Sequence, residues 1–121
     1  MKKEISRKFC VAPMMGYTTP YARKLYRILS NNSFLFSEMI AAKSLIYSKS
    51  RENIIDNDFS NPVALQVGGS ELEDLTKASK IAIDYNYDEI NLNVGCPSKA
   101  VQKGSFGACL MKDKILVRNC V

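Results

Sequence analysis

Four short apolar runs alternate with segments of helical character along this chain, and no other feature of the sequence constrains the fold as strongly. The runs cover residues 9–12, 34–36, 62–67 and 89–94. Strands that are joined through helices by short links have to lie parallel, with right-handed crossovers. The sequence therefore predicts an α/β fold, either a doubly wound sheet or a (β/α)8 barrel. A dinucleotide-binding sheet is less favoured, because no G-x-G-x-x-G motif follows the first run.

The first two links carry helix signals. Thr19 is suited to cap a first helix, and Pro20 is suited to its first position. A second helix is predicted over residues 41–47, followed by a polar link from residue 48 to residue 61. The residues predicted to form the buried face of the first helix are Ala22, Leu25, Tyr26 and Leu29.

A longer helix is predicted after the third run. Residues 70–73 (SELE) have the S-x-x-E form of a capping box, and the helix is expected to end near Asn86. The third run, residues 62–67, is continuously apolar, as strands buried on both faces tend to be. The residues predicted to form the apolar stripe of the helix are Leu72, Leu75, Ala78, Ala82 and Ile83.

Length and composition limit the class of protein. The chain has 121 residues, of which 46% are hydrophobic, so we predict one globular domain or part of one. No stretch approaches the roughly 20 apolar residues that cross a membrane, and we predict a cytoplasmic location without membrane contact. Residues 115–121 form an apolar stretch without a cap or polar tail. Since a complete (β/α)8 barrel needs about 250 residues, we predict a truncated half of one.

The cysteine pattern and the charge give weaker indications. The four cysteines form no C-x-x-C pair and the chain has no histidine, so we predict neither a metal site nor a disulfide framework. Cys10, Cys109 and Cys120 are predicted to be small buried hydrophobic residues. The net charge of +5 is compatible with a polyanionic partner, and a solvated basic surface explains it equally well. Without histidine, acid or base chemistry must come from Cys, Tyr, Lys or a carboxylate.

The residues whose side chains could bind a ligand or take part in catalysis follow the ends of the predicted strands, where a parallel α/β fold carries its functional site. A planar aromatic ligand fits such a rim, with Met and Pro as an apolar floor and amides as paired donors and acceptors. The alternative is that the methionines fill the core and that the glutamine satisfies backbone groups. The rim residues are Pro13, Met14, Met15, Glu38, Gln66, Asn93 and Cys96.

Two asparagines, Asn91 and Asn93, alternate on one face of the otherwise apolar fourth run. Each would cost about 1 to 3 kcal/mol if its amide were buried without partners. We therefore predict polar partners for both, supplied by a ligand, by water or by neighbouring strands.

Cys96 lies between Gly95 and Pro97, in a predicted tight turn that ends the fourth strand. Such a turn can hold a thiol at a fixed angle over a pocket. A thiol with an ordinary pKa near 8.5 is protonated at neutral pH, so it can donate a proton. The alternative is a nucleophilic thiolate, but no histidine of this chain can activate it.

These residues resemble the tRNA-dihydrouridine synthases over the chain from about Phe9 to its end. Residues 37–39 (SEM) and 87–93 (YDEINLN) are most similar to the bacterial A type of that family. Three separated motifs in the family's order make the resemblance specific, where a lone G-C-P would be weak. The three motifs are residues 11–14 (VAPM), 64–69 (ALQVGG) and 91–98 (NLNVGCPS), the last of which continues through Val101, Gly104 and residues 107–111 (GACLM).

The resemblance implies a (β/α)8 barrel, of which residues 1–121 would be part of the FMN-binding domain, without the C-terminal half-barrel and the helical tRNA-binding domain. It also implies tightly bound FMN, NADPH as the reductant, and reduction of a D-loop uridine in tRNA to 5,6-dihydrouridine. By position, Cys96 would be the catalytic proton donor and Asn93 would lie beside the target uridine. The implied flavin contacts are Pro13, Met14, Met15 and Gln66.

The resemblance has departures and alternatives. Residues 16–19 (GYTT) stand where A-type members carry a more acidic, Trp-containing loop, so the same substrate contacts are not expected there. Another FMN barrel, such as a dihydroorotate dehydrogenase, is a second candidate, but residues 104–111 argue against it. A non-catalytic RNA-binding remnant is a third. We expect this chain alone to be inactive or unstable, because the family's later strands supply its lysine, histidine and phosphate-binding loops.

Overall fold

The computed structural model describes residues 5–55 and 60–121, which form five strands and six α-helices. No helix in this part of the chain is long and apolar enough to cross a membrane. In chain order the elements are β1 (Cys10–Val11), α1 (Pro20–Leu29), β2 (Phe34–Phe36), β3 (Ile40–Ala41), α2 (Ala42–Tyr47), α3 (Arg51–Ile55), β4 (Val63–Gly68), α4 (Leu72–Asp84), β5 (Glu89–Leu92), α5 (Lys99–Lys103), a 3-10 helix (Gly107–Lys112) and α6 (Lys114–Cys120).

The strands form one parallel sheet around β4. β1 pairs with β2, which pairs with the first half of β4, and the short β3 pairs with its last two residues. β5 lies along the other side of β4. The predicted α/β fold is therefore confirmed, and the order β1, β2, β4, β5 matches the first four strands of a (β/α)8 barrel.

The two faces of the sheet have different characters. Alternate residues of β4, including Val63, Leu65 and Val67, pack with helices α2 and α4 in one buried cluster. The other residues of β4, including Gln66, point to the opposite face. All six residues of β4 are buried, as the continuous apolar run predicts.

Helix α1 confirms the predicted cap but not the whole predicted face. The Thr19 side chain accepts a hydrogen bond from the backbone of Ala22, and Pro20 takes the first position. Leu25 and Leu29, however, are 54% and 74% exposed. The inward position is taken by Arg23, whose guanidinium donates to the Thr18 carbonyl at 2.8 Å, so the helix is rotated relative to the apolar stripe.

Helix α4 begins one residue later than predicted. Its N-cap is Glu71, without a side-chain cap, so the capping box at Ser70 is wrong. Glu73 pairs instead with Lys77 one turn along the helix, and this pairing lowers the pKa of Glu73 and raises that of Lys77. Of the predicted stripe, Leu75, Ala78 and Ala82 are buried, whereas Leu72 and Ile83 are exposed.

Two further predictions need correction. The polar link predicted from residue 48 to residue 61 contains a helix, α3, whose Ile55 is fully buried. Residues 56–59 of that link lie outside the described residues. The four cysteines are free, but Cys10 is exposed and Cys109 and Cys120 are only half-buried. Cys10 is exposed because it lies on the edge strand β1, on the face opposite the helices.

An ion pair lies at the amino-terminal ends of the strands. Arg7, just before β1, pairs with Glu89 at the start of β5. The Arg7 guanidinium also lies 4.3 Å from the centre of the Phe34 ring on β2. Arg7 therefore contacts residues of the second and fifth strands from a position beside the first.

Candidate functional site

A cleft of about 610 Å³ lies at the carboxyl ends of the strands. Of the six residues to which the family resemblance gives a role, five lie in its wall, and the exception is Met14. Met39, which follows β2, lines the cleft together with the predicted floor residue Met15. The residues that line the cleft are Pro13, Met15, Met39, Gln66, Leu92, Asn93, Val94, Gly95, Cys96 and Ser98.

The loop after β1 is folded around the fully buried Thr18. The Thr18 hydroxyl accepts from the Met14 backbone N–H at 3.0 Å and donates to the Met14 carbonyl at 3.2 Å. The Glu38 carboxylate, after β2, accepts from the Gly16 backbone N–H at 2.6 Å. These bonds hold Met14 by its backbone and present Met15 to the cleft.

Three side-chain amides form a hydrogen-bonded chain across β4 and β5. Gln66 is the register partner of Asn91, and its Nε2 donates to Asn91 Oδ1 at 2.7 Å. Asn93 Nδ2 donates to Gln66 Oε1 at 3.0 Å. The predicted polar partners of the two asparagines are thus confirmed, and the neighbouring strand supplies the glutamine.

The Cys96 turn is fixed from both sides. Asn93 Oδ1 accepts from the backbone N–H groups of Gly95 at 3.2 Å and Cys96 at 3.0 Å. The Cys96 carbonyl accepts from the Ala108 N–H at 3.0 Å. Gly107, with a φ of +63°, lets the 3-10 helix approach this carbonyl, since a Cβ at residue 107 would lie 2.6 Å from it.

The Cys96 thiol is polarised by Ser98. The backbone N–H of Ser98 and then its hydroxyl bind the sulfur, and these bonds lower the pKa of the Cys96 thiol from its ordinary value. The Ser98 hydroxyl also accepts from the Val101 N–H at 3.3 Å as the cap of α5. A thiol of lowered pKa releases its proton more readily, and the same bonds stabilise the sulfur anion that remains.

Replacing Ser98 with alanine should raise the pKa of the Cys96 thiol. The hydroxyl contribution is lost while the larger backbone contribution stays, so the shift is upward and partial. Alkylation of Cys96 with iodoacetamide, followed against pH by peptide mass spectrometry, should then need a higher pH than in the parent. Ser98→Thr keeps a hydroxyl and is the matched control. An unchanged profile for Ser98→Ala would show that the hydroxyl does not act on the sulfur.

The cleft fits a flat heteroaromatic ring better than a phosphate. Pro13, Met15 and Met39 form an apolar floor, while Gln66 and Asn93 place amides on one wall. Among the described residues, none that lines the cleft has a cationic side chain. The residues present therefore suit the ring of FMN and would hold it there, and its phosphate has no positively charged partner in this lining.

Sequence reasoning missed several residues of the site. Ser98 can be recognised in the sequence only as part of the motif in residues 91–98, although a serine that precedes a short helix is a common N-cap. Thr18 shapes the loop after β1 through hydrogen bonds that no spacing rule predicts. Glu38 was predicted at the rim, but it binds the Gly16 N–H of that loop and does not line the cleft. Met39 follows the second strand without any signal that separates it from a core methionine.

The fold and the cleft define a parallel-stranded α/β protein with a ligand site at the carboxyl ends of its strands, walled by amides and a thiol. The described residues hold no group of three or more His, Cys, Asp or Glu placed to bind a metal. The sequence model described as "Dihydrouridine synthase (Dus)" matches residues 10–121. The chain belongs to the dihydrouridine synthase family.

Individual relatives agree with this assignment. The chain is 49% identical over 122 residues to the tRNA-dihydrouridine(20/20a) synthase of Xylella fastidiosa (strain Temecula1 / ATCC 700964), covering 99% of this chain and 37% of the relative. It is 46% identical to the Escherichia coli (strain K12) protein of that name, covering 96% of this chain and 33% of the relative. The chain thus spans roughly a third of the length of these relatives.

Proposed function

We propose that this chain is the amino-terminal part of the FMN-binding barrel of a tRNA-dihydrouridine synthase. In this proposal the enzyme binds FMN tightly, uses NADPH as reductant and converts a D-loop uridine of tRNA to 5,6-dihydrouridine. The observation that carries the proposal is the position of Cys96 in the wall of a cleft that suits a flat ring, on a turn whose Cys96 N–H donates to Asn93 Oδ1. The family membership of the chain supports it.

Each residue of the cleft has a proposed role. Pro13 and Met15 contact the flavin ring from the apolar floor, and Gln66 binds it through its amide. Asn93 lies beside the uridine. Met14 remains a predicted flavin contact, although its backbone is engaged with Thr18 and it does not line the cleft.

The chemistry of this chain centres on one proton. FMN, when bound and reduced by NADPH, would supply a hydride for one carbon of the uracil double bond. Cys96 donates a proton to the adjacent ring carbon, which saturates the double bond. The Ser98 N–H and hydroxyl stabilise the sulfur anion left behind, while Asn93 keeps the turn in place through the N–H groups of Gly95 and Cys96.

The charge distribution supports tRNA as the partner. Residues 99–121 contain five cationic side chains and one carboxylate, so this segment accounts for +4 of the net charge of +5. All five cations are exposed, and the segment follows the Cys96 turn directly. Exposed cations in the segment that follows the Cys96 turn suit a polyanion. We propose a cytoplasmic location on the basis of this substrate, with the helical tRNA-binding domain and the second half-barrel lying outside residues 1–121.

Flavin titration tests this function on the chain itself. Once circular dichroism has shown that the chain is folded, we expect it to quench the fluorescence of FMN and riboflavin with micromolar Kd values. The two values should agree within about threefold, because no described lining residue pairs with the phosphate. Gln66→Leu should weaken the binding of both FMN and riboflavin. A folded chain that leaves flavin fluorescence unchanged would contradict flavin binding, and a molten chain would confine it to a longer protein.

A second assay separates the proposed enzyme from a dihydroorotate dehydrogenase. In a full-length dihydrouridine synthase that carries this chain, NADPH oxidation should require tRNA and should not respond to orotate, the oxidised pyrimidine that a dihydroorotate dehydrogenase would reduce in reverse. The reverse dependence would reject the tRNA assignment. A folded, flavin-free chain that still binds tRNA would favour a non-catalytic RNA-binding protein.

A further inference from the structure

The ring of Phe106 is held between two glycines that belong to different elements. Gly68 is the last residue of β4, and Gly104 is the C-cap of α5. A Cβ at residue 68 would lie 2.7 Å from Phe106 Cδ2, and a Cβ at residue 104 would lie 2.7 Å from Phe106 Cδ1. These atoms are on opposite edges of the ring, so movement away from one glycine brings the ring closer to the other. Glycine at both positions is what leaves room for the ring.

The backbone on either side of Phe106 has a conformation that needs support. Ser105 has a φ of +56° and Gly107 has a φ of +63°, both in the left-handed region. A non-glycine residue such as Ser105 rarely adopts this conformation, and its cost in free energy has to be offset by other contacts. The Phe106 ring supplies such contacts, because its two edges pack on Gly68 and Gly104.

Two short paths lead from Phe106 to the Cys96 turn. Two residues further along the chain, the Ala108 N–H donates to the Cys96 carbonyl at 3.0 Å. On the other side, Gly104 ends α5, a five-residue helix whose N-cap is Ser98, the residue that polarises the Cys96 sulfur. A helix this short is not stable without contacts at its ends. Displacement of the Phe106 ring would therefore loosen the Cys96 turn at its carbonyl and at its sulfur.

Strand β4 is a suitable fixed point for such a link. All six of its residues are buried, and it pairs with β2, β3 and β5. Its last residue, Gly68, also lies beside Met39, whose sulfur would be 3.1 Å from a Cβ at residue 68. Met39 in turn lines the cleft. The Phe106 ring thus joins the segment that follows Cys96 to the strand that carries Gln66 and to the floor of the cleft.

We propose that Phe106 is a positioning residue, which sets the place of the Cys96 thiol in the cleft by tying the segment after Cys96 to the end of β4. Phe106 does not line the cleft, so it acts through the position of Cys96. The consequence for catalysis rests on the proposed function. A displaced thiol delivers its proton to a ring carbon less efficiently, while the residues that would contact the flavin keep their places.

The first test uses the chain itself, without flavin or tRNA. Phe106→Ala should speed hydrogen exchange of the Ala108 N–H at least about tenfold, because its bond to the Cys96 carbonyl opens more often. Alkylation of Cys96 with iodoacetamide should need a higher pH than in the parent, because the Ser98 bonds that lower the pKa of this thiol are loosened. Phe9→Ala removes a ring that is 65% exposed and should change neither measurement. Parent values of Phe106→Ala in either measurement would overturn the inference.

A double-mutant cycle separates the ring contact from a general loss of stability. The three atoms nearest to a Cβ at residue 104 all belong to Phe106, and the Gly104 backbone, with φ −82° and ψ 0°, is open to alanine. Gly104→Ala should therefore speed Ala108 exchange at least about tenfold in the parent, and less than about twofold when residue 106 is already alanine. Additive effects of the two substitutions would show that the ring is not held between the glycines, and the inference would be wrong.

The consequence for the reaction is measured in a full-length dihydrouridine synthase that carries this chain. Phe106→Ala should lower the single-turnover rate of tRNA reduction at least about tenfold and leave FMN affinity within about twofold of the parent. If the rate stays at the parent value while Ala108 exchange is faster, the inference is wrong and the proposed function stands. If the parent enzyme does not reduce tRNA, the proposed function fails, and exchange and alkylation in the chain alone decide whether Phe106 positions Cys96.

Discussion

Cys96→Ala should lower uridine reduction by two to four orders of magnitude in a full-length dihydrouridine synthase that carries this chain. A positioned general acid contributes a factor of that size, and the other described groups near the reacting carbon are amides and a hydroxyl that donate protons far less readily. FMN affinity should remain within about twofold of the parent, because the thiol is one small part of the wall. Single-turnover reduction of tRNA by the prereduced enzyme measures the chemical step directly.

The control for this prediction is Cys10→Ala. Cys10 is also a free thiol, but it is exposed on β1 and does not line the cleft. Its replacement should leave the single-turnover rate unchanged. A Cys96→Ala enzyme that retains the parent rate would remove Cys96 from the role of proton donor, whatever the flavin content.

Gly107→Ala should destabilise the chain by about 2 kcal/mol or more. The left-handed backbone conformation at residue 107 costs an L-residue roughly 1–2 kcal/mol, and the added Cβ would lie 2.6 Å from the Cys96 carbonyl. Relief of that contact breaks the bond from the Ala108 N–H to the same carbonyl, which holds the turn. Urea denaturation followed by circular dichroism measures the free energy of unfolding.

Gly95→Ala is the matched comparison on the other side of the turn. No described atom lies within 4 Å of a Cβ placed at residue 95, and its φ is outside the left-handed range. The substitution should therefore change the free energy of unfolding by less than about 1 kcal/mol. Equal effects of the two substitutions would mean that the close approach at Gly107 is not what stabilises this region.

The sequence predicts β4 well because burial on both faces leaves a continuous apolar run in residues 63–67, whereas the two-residue strand β3 has no such run and is missed. The start of α1 can be predicted equally well, because Thr19 caps the helix and Pro20 fits its first position through local geometry alone. The side chains that face the core are less predictable. Leu25 and Leu29 have the right spacing, yet the inward position is taken by Arg23, whose partners include Thr18 in the loop before the helix and Tyr87 in the loop before β5.

The candidate site is also only partly predictable from the sequence. The rim residues are predictable because parallel strands bring their carboxyl ends together, which places Gln66 near Asn93. The direction of the amide chain is not predictable, because it depends on the pairing of Gln66 with Asn91 and on two backbone N–H groups of a turn. The influence of Ser98 on Cys96 likewise requires the actual path of the chain.

The ion pair between Arg7 and Glu89 bears on the order in which this chain folds. The two residues are 82 positions apart in sequence and lie beside the first and last strands of the sheet. A contact of that separation gains little until the loops between the strands have been closed, because their entropy is lost first. We therefore expect Arg7 to pair with Glu89 only after β2 and β4 have joined β1 and β5, at the completion of the sheet and not at its nucleation.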